Sequence, residues 1–232
     1  LADSAFALAE PDLIPWRSVL QGAKWLHVSG ITAAVSQRAT DSIHAAMRAA
    51  REAEVAISFD CNFRASLWAK AARDPRATLG ALAGEADLVF GEERDLGLIL
   101  GESFLAEDGK SALEHAANAA FRAFPRLQML ATTRRAQHTV DRHDFCGISF
   151  TPAGQHRSRQ YSLEGIIDRI GGGDAFAAGI LHGVLSGLNP LACVEFAAAA
   201  ACLKHFIPGD FNLSTHGQIT ALLEGSELAV KR

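Results

Sequence analysis

The sequence predicts an α/β protein, a sandwich of helices around a mostly parallel sheet. Short apolar runs alternate with amphipathic segments at the spacing of parallel βαβ units. The chain has 232 residues, which is long enough for one large core. Its 49% of apolar and 21% of charged residues are ordinary for a globular protein. We therefore expect one α/β domain over residues 1–232.

The elements follow from the chain in order. Short apolar runs predict strands at Lys24–Gly30, Glu54–Asp60, Asp87–Gly91 and Leu127–Thr133. Helical spacing of apolar or alanine-rich residues predicts helices at Asp41–Glu54, Ala77–Gly84, Ser111–Phe124, Gly173–Gly187, Pro190–Phe206 and Ser214–Glu224, the last capped by Ser214 or Thr215. Gly147–Tyr161 has the pattern of a hairpin, and Leu1–Ala9 that of a strand interior.

Charge and cysteine usage narrow the classes of partner. The formal net charge of -4 gives no electrostatic reason to expect nucleic acid or an anionic membrane. The longest apolar stretch, Phe196–Leu203, is less than half of a membrane span, and no segment has the pattern of an export signal. Four widely spaced cysteines without a Cys-x-x-Cys pair predict reduced thiols. We expect a cytoplasmic protein whose partners are small molecules.

One segment, Ile167–Gly179, contains the residues that point to a catalytic function. Gly171, Gly172 and Gly173 leave backbone amides unshielded immediately before an apolar helix. Free N–H groups and the positive end of the helix dipole suit an anion, above all the charge that grows on a transferring phosphoryl group. Asp174 lies in the first turn, where its carboxylate can take a proton from an attacking hydroxyl.

A bare Gly-Gly-Gly-Asp is equally compatible with a flexible turn in which Asp174 is an ordinary helix cap. It is neither a P-loop, because no Gly-Lys-Ser/Thr follows, nor a dinucleotide fingerprint of the Gly-x-Gly-x-x-Gly type.

The segment Asp168–Phe176 resembles the C-terminal signature of the PfkB (ribokinase) carbohydrate kinases, Asp-[Thr/Ser]-x-Gly-Ala-Gly-Asp-[Ala/Ser]-Phe. Its Arg-Ile-Gly-Gly-Gly form is most similar to 2-keto-3-deoxygluconate (KDG) kinases. The resemblance implies a ribokinase-like three-layer α/β/α sandwich. It implies that Asp174 deprotonates the primary hydroxyl of the sugar, while the amides of Gly171 to Gly173 hold the γ-phosphoryl group.

A second segment, Phe59–Arg64 followed by Leu67-Trp68, ends a predicted strand, and ligands gather at such ends in α/β sheets. By itself it is compatible with a surface Arg and a turn Asn. It is similar to the Asp-x-Asn-x-Arg-x-x-Leu-Trp stretch of KDG and related kinases. That likeness implies that Arg64 meets the sugar acid and that Asn62, Phe63 and Arg64 lie against the nucleotide phosphates. Phe63 stands where the family often has Tyr.

An acidic segment, Asp87–Asp95, falls where the family carries an Asn-x-x-Glu motif that organises Mg²⁺ and its waters. No Asn is present here. Either Glu92 with Asp95, or Glu93 alone, could take that role. The same residues are equally compatible with capping of the next helix.

Two further segments extend the likeness to KDG-type kinases. Thr132-Thr133-Arg134-Arg135 takes the place of a nucleotide-binding segment, which makes Thr133 and Arg134 candidates for ATP contacts. Ile207–Phe211 contains Pro-Gly-Asp, which implies that Asp210 approaches the hydroxyls of the sugar acid. A Pro-Gly-Asp sequence after a helix is otherwise typical of an ordinary turn.

A possible metal site at His138, Asp141, His143 and Cys146 fits no common zinc spacing and has the pattern of a hairpin edge.

The resemblance also implies that the family's N-terminal strands and β lid are missing from this chain, through truncation or because the numbering begins after them. A truncated chain would expose strand edges and lack the lid that excludes water. We would then expect a poorly active, aggregation-prone fragment. Homo-oligomers formed through the lids are common in the family, so the resemblance allows a homo-oligomer, for which this sequence offers no argument of its own.

The sequence thus favours an ATP- and Mg²⁺-dependent kinase that phosphorylates the terminal hydroxyl of KDG or a close keto-sugar acid. The family also allows a monovalent cation, for which the sequence identifies no site. The alternatives are a fructokinase or 2-ketogluconate kinase, a non-catalytic sugar or nucleotide sensor on the same fold, and a dinucleotide-binding oxidoreductase. The missing glycine fingerprint argues against the last.

Overall fold

The computed structural model describes residues 3–71, 73–104 and 109–225, with the backbone alone for 109–111. The chain divides into two compact units, Leu1–Leu130 and Ala131–Arg232. Each is described by itself below. The prediction of a single domain stays a prediction.

The first unit alternates strands and helices. Its strands are β1 Trp25–Ser29, β2 Ala56–Asp60 and β3 Leu88–Phe90. Its helices are α1 Ala5–Leu8, α2 Trp16–Val19, α3 Gly30–Val35, α4 Gln37–Glu52, α5 Ala65–Ala71, α6 Pro75–Gly84, α7 Glu93–Leu100 and α8 Gly109–Ala123, with a 3₁₀ turn at Pro11–Leu13. The three strands pair in parallel in the order β1-β2-β3. The predicted parallel strands and the helices at Asp41–Glu54, Ala77–Gly84 and Ser111–Phe124 are confirmed.

The register of the first unit's strands brings their carboxyl ends to one edge. Ser29 lies opposite Asp60, and Asp60 lies opposite Phe90. The segments that follow these residues therefore leave the sheet side by side, where ligands collect in α/β proteins.

A half-buried charge pair fixes this register at the opposite edge. The carboxylate of Asp87 accepts the backbone N–H of Ile57 at 2.7 Å and pairs with the guanidinium of Arg51 at 2.9 Å. Arg51 lies at the end of α4, so one side chain ties that helix to the starts of β2 and β3. A slip of one residue would break these contacts and turn the buried faces outward.

The predicted strand at Leu1–Ala9 is wrong over the described part of that segment. Residues Ala5–Leu8 form α1, and the hydroxyl of Ser4 accepts the N–H of Ala7 as a helix cap. Alanine-rich residues after a Ser cap favour helix, and this local signal outweighs the apolar pattern. Leu1 and Ala2 lie outside the described residues.

The second unit combines an antiparallel hairpin system with long helices. Its strands are β4 Met129–Gln137, which enters the unit at Ala131, β5 Arg142–Thr151, β6 Gly154–Arg157 and β7 Tyr161–Glu164. Its helices are α9 Gly172–Leu185, α10 Pro190–Lys204 and α11 His216–Leu223. β5 pairs with β6 and, through its first half, with β7. The predicted hairpin and C-terminal helices are confirmed, with Thr215 as the cap of α11.

Helices α9 and α10 pack closely because small residues line their interface. A Cβ on Gly179 would stand 3.0 Å from the Cβ of Ala197, and one on Gly183 would stand 2.8 Å from the sulfur of Cys193. Such distances leave no room for a side chain at either glycine. The start of α9 is therefore held by the buried body of the helix.

The four cysteines, Cys61, Cys146, Cys193 and Cys202, are buried with free thiols, as predicted. Within the described residues, no helix combines the length and apolar character that crossing a membrane requires.

Candidate active site

The glycine segment adopts the geometry that its sequence predicts. Gly171 is the residue before the first turn of α9 and has φ 74°, a left-handed conformation that favours glycine. The carbonyl oxygen of Asp210 lies where a Cβ on Gly171 would be. Position 171 therefore needs glycine for two independent reasons, its backbone angle and the close approach of the 210 backbone.

Backbone donors are available at the start of α9. Gly171 provides no side-chain cap, and the N–H of Gly172 makes a long bond of 3.4 Å to the carbonyl of Arg169. Among the described residues, no hydrogen bond from the N–H of Gly173 or Asp174 is found. No atom lies within 4 Å of the point where a Cβ on Gly173 would stand. These two amides, at the positive end of the helix dipole, are therefore available to an anion as far as the described residues show.

Asp174 lies in the first turn of α9 and is exposed. Its carboxylate makes no hydrogen bond or ion pair within the described part of the chain. An uncommitted carboxylate beside free amides can accept a proton from a hydroxyl held there.

Buried cationic and polar groups lie behind the glycines. The Cε atom of Lys204 lies 3.2 Å from the Cβ position of Gly171, and Cε1 of His205 lies 3.3 Å from that of Gly172. Both side chains are fully buried. The two residues follow one another at the end of α10, so this helix supports the floor of the glycine segment.

His205 is a neutral imidazole by its surroundings. Burial lowers its pKa below the usual range, and the positive charge of Arg135 lowers it further. Its Nδ1 lies 2.7 Å from the carbonyl oxygen of Ala201, which assigns the proton to Nδ1. Its Nε2 has no hydrogen-bond partner among the described residues.

Thr133 and Arg134 lie on β4, and both are half-buried. The influence of Arg135 on His205 shows that this part of β4 lies within electrostatic reach of the floor of the glycine segment. Within the second unit, the structure thus brings Gly171–Asp174 and Asp210 together.

In the first unit, Asn62 lies just beyond the end of β2. Its φ is 37°, a left-handed conformation that Asn tolerates better than most residues. Its backbone N–H donates to a carboxylate oxygen of Asp60 at 3.1 Å, and its side-chain amide lies 3.4 Å from the hydroxyl of Ser29. Asn62 therefore links the carboxyl ends of β1 and β2.

Arg64 is exposed and precedes α5, and its charge acts on Asp95 of α7. Burial raises the pKa of the Asp95 carboxyl above its usual range, against the lowering effects of the Glu92 backbone and of Arg64. The ends of β2 and β3 thus place an exposed guanidinium near a half-buried acid.

The acidic segment is used for capping. Glu92 precedes α7 and accepts the backbone N–H of Asp95, while Asp95 accepts that of Glu92 at 2.9 Å. This reciprocal arrangement is a capping box. Glu92 is exposed and Glu93 is half-buried. No group of three or more His, Cys, Asp or Glu that could hold a metal ion exists among the described residues, which include the candidates near His138.

Sequence reasoning missed Lys204, His205 and Asp168. Asp168 lies in the signature segment, and Lys204 and His205 lie in the tail that resembles KDG-type kinases, but the sequence predicted no role for them. Burial of the end of α10 depends on how the 205–210 turn folds against the glycine segment. A lysine four residues before Pro-Gly-Asp is the one feature that marks the place.

A shallow cavity of about 370 Å³ lies beside the start of α10. Its lining is mostly apolar and contains none of the predicted site residues, and its charged groups, Arg159 and Glu195, pair with each other at 3.2 Å. This cavity therefore does not change the assignment of the candidate active site to the glycine segment.

The sequence and the structure both match known proteins. A model of the pfkB family of carbohydrate kinases matches residues 4–210. The chain belongs to this family. The ribokinase-like α/β fold expected of a pfkB protein is thereby confirmed.

Several relatives of this pfkB chain act on keto-sugar acids by name. The 2-dehydro-3-deoxygalactonokinase of Haloferax volcanii is 26% identical over 234 residues, which cover all of this chain and 66% of the relative. The 2-dehydro-3-deoxygluconokinase of Bacillus subtilis is 29% identical over 216 residues, 89% of this chain and 58% of the relative. The solved 2-dehydro-3-deoxygluconokinase of Thermotoga maritima is 31% identical with a TM-score of 0.88 over 96% of this chain and 67% of its own. This chain thus spans about two thirds of the relatives' length or less.

Proposed function

We propose that this protein transfers the γ-phosphoryl group of ATP to the terminal hydroxyl of 2-keto-3-deoxygluconate or a close keto-sugar acid. One observation carries the proposal. The exposed Asp174 carboxylate lies in the same helical turn as the amides of Gly173 and Asp174, and none of these groups has a partner among the residues that the structure describes. Phosphoryl transfer needs a proton acceptor and anion-stabilising donors at one place, and this turn supplies both.

The chemical step follows from these groups. Asp174 takes the proton of the primary hydroxyl as its oxygen forms a bond to the γ-phosphorus, and the bond from that phosphorus to the bridging oxygen of ADP breaks. Negative charge spreads over the transferring oxygens, and the amides of Gly173 and Asp174, aligned with the dipole of α9, stabilise it. Gly171 and Gly172 contribute by the close packing that sets the direction of this turn.

The residues fit ATP with Mg²⁺. Mg²⁺ keeps most of its waters and needs one or two carboxylates besides the nucleotide phosphates, so a full protein cage is unnecessary. Glu92 is exposed and can accept Mg²⁺-bound water at the lone pairs that its cap leaves free, with Glu93 as the alternative. Thr133 and Arg134 are proposed to contact the nucleotide, together with Asn62, Phe63 and Arg64. When bound, Mg²⁺ would neutralise phosphate charge.

Arg64 is proposed to recognise the carboxylate of the sugar acid. Its guanidinium is exposed, and a planar fork of donors fits a carboxylate with two parallel hydrogen bonds. Asp210, beside Gly171, is proposed to accept hydrogen bonds from the sugar hydroxyls. A neutral hexose would leave the guanidinium without its partner.

A second candidate substrate is 2-dehydro-3-deoxygalactonate. The Haloferax volcanii relative that aligns with the whole of this chain is named for that sugar acid. The carboxylate and the primary hydroxyl are common to both substrates, so the same Arg64 and Asp174 roles apply.

The test is a spectroscopic assay coupled to ADP release in the presence of Mg·ATP. Both 3-deoxy keto-acids, 2-ketogluconate, fructose and ribose are tested in parallel as substrates. We expect turnover of a 3-deoxy keto-acid with the highest kcat/KM. Preference for fructose or ribose would keep the Asp174 role and refute the Arg64 role. Binding of ATP without turnover of any sugar would support the sensor alternative.

A further inference from the structure

Lys204 is a fully buried lysine that the chemistry proposed above does not use. Its exposed fraction is 0%, although lysines almost never lie fully buried unless their charge is compensated. Burial of an ammonium costs free energy, and such a cost calls for a compensating contact or a role.

The ammonium of Lys204 is bound to backbone at the turn after α10. Nζ donates to the carbonyl of Ile207 at 2.9 Å. The adjoining Cε lies 3.2 Å from the Cβ position of Gly171, at the start of α9. The lysine therefore spans from the 207–210 turn to the first glycine of the glycine segment.

Asp168 lies within electrostatic reach of Lys204 and joins the same two segments. One carboxylate oxygen accepts the N–H of Ile170 at 2.9 Å, and the other accepts the N–H of Gly209 at 2.9 Å. The backbone N–H groups of Ile167 and Asp168 in turn donate to the carbonyl of His205 at 2.9 and 3.1 Å. Hydrogen bonds thus join the loop before α9 to the turn after α10 at two places, the His205 carbonyl and the Gly209 N–H.

We propose that Lys204 is a positioning residue for phosphoryl transfer, whose buried ammonium holds the 207–210 turn against Gly171 and adds a fixed positive charge behind the amides of the glycine segment. This inference rests on the proposed function. A compact point charge in a poorly solvated place acts on an incoming anion more strongly than an exposed lysine would. Because the charge is covalently attached, it is present before the nucleotide binds.

The first test separates the charge from the hydrogen bond. Lys204→Gln keeps a hydrogen-bond donor on a side chain one bond shorter but removes the charge, whereas Lys204→Met removes both. Lys24→Met, at an exposed lysine, is the matched control for net charge. We expect both Lys204 variants to lower kcat on the order of 10- to 100-fold, less than the ~10²–10³ that follows loss of a donor touching the reacting group. We expect KM for ATP to change within about threefold.

The second test is rescue. Lys204→Ala leaves the carbonyl oxygen of Ile207 facing a small cavity that we expect an ammonium ion to enter. Millimolar ammonium chloride should restore a large part of kcat to this variant and leave the original protein unchanged, with sodium chloride at equal ionic strength as the control. A structural role alone would respond to neither salt.

The outcomes separate this inference from the proposed function. If the original protein phosphorylates a sugar acid but Lys204→Gln keeps kcat within about twofold, or ammonium restores nothing to Lys204→Ala, the Lys204 role is refuted and the kinase stands. If no sugar is turned over, protection against thermal unfolding by inorganic phosphate decides. Protection that is lost in Lys204→Gln supports the buried charge without the kinase, and equal protection refutes both.

Discussion

Two helices of this protein begin beside acidic residues and use them in opposite ways. At the start of α7, Glu92 and Asp95 each accept the backbone N–H of the other. At the start of α9, Gly171 supplies no cap, and within the described part of the chain the amides of Gly173 and Asp174 and the Asp174 carboxylate have no partner. The first arrangement satisfies the helix end, and the second leaves donors and acceptor for a ligand.

The difference shows how to separate structural from catalytic carboxylates in this fold. A carboxylate that accepts backbone amides lowers the free energy of the folded chain and has fewer lone pairs for chemistry. A carboxylate left exposed beside unpaired amides contributes little to folding. We expect substitutions at α7 and α9 to affect stability and turnover in opposite proportions.

The largest expected effect tests this contrast directly. Asp174→Asn should lower kcat on the order of 10²–10⁴-fold, because the amide cannot accept the proton of the attacking hydroxyl. The melting temperature and the ATP affinity should stay nearly unchanged. Asp74→Asn is the matched control, since Asp74 caps α6 by accepting the N–H of Arg76 at 2.9 Å. An unchanged kcat in Asp174→Asn, measured in the coupled ADP assay, would remove Asp174 from the role of base.

The next largest effects are expected from substitutions of the glycines, and they differ between Gly171 and Gly173. Gly171→Ala meets both a left-handed backbone and the Asp210 carbonyl, so it should destabilise the fold by at least ~1–2 kcal/mol. Such a loss corresponds to a melting temperature lower by a few degrees or more. Gly173→Ala meets no atom within 4 Å and should fold normally, but its methyl group intrudes where the phosphoryl group is proposed to sit.

We therefore expect Gly173→Ala to lower kcat with an unchanged melting temperature, and Gly171→Ala to lower both. Calorimetry and the ADP assay on the pair would show this. Equal losses of stability in the two variants would contradict the positions that the structure gives them.

Arg64 carries the next largest effect, on substrate recognition. Arg64→Ala should raise KM for the acidic sugar by roughly 10- to 100-fold, the value of a charge-assisted hydrogen bond of about 1.5–3 kcal/mol. Arg17→Ala is the control, because Arg17 forms an exposed ion pair with Glu52. The ratio of kcat/KM for a keto-acid to that for fructose is the readout. An unchanged ratio would refute the carboxylate-reading role.

The glycine segment was predictable because each of its properties is local. Three glycines before an apolar run dictate an uncapped helix start, and Asp174 follows from its place in the first turn. The parallel strands were predictable for the same reason, since their apolar runs are short and continuous. One local prediction, the strand at the N-terminus, was wrong, because the Ser4 cap and the alanines after it favour a helix.

The properties that depend on distant residues were not predictable. The acidic segment left two roles open, and only the paired bonds of Glu92 and Asp95 show that it caps α7. Proximity of Arg64 to Asp95 follows from the register of β2 and β3, which no single motif encodes. Burial of Lys204 depends on the hydrogen bonds that join the loop at 166–171 to the turn at 205–210.

The smallest expected effect concerns Asp168, a carboxylate of the second unit that resembles those of α7 in being committed to backbone. Hydrogen bonds from the N–H groups of Ile170 and Gly209 hold its pKa below the usual range. A lowered folded pKa means that the carboxylate stabilises the protein above its unfolded pKa of about 3.9 and that this contribution is lost as pH falls through the folded value. Asp168→Asn should therefore lower stability most near neutral pH, with a difference that shrinks below about pH 4. Urea unfolding at several pH values, with Asp12→Asn as an exposed control, measures it. A difference that does not change with pH would mean that the side-chain amide loses packing rather than charge, and would place Asp168 outside the group of backbone-bound carboxylates that Glu92 and Asp95 define.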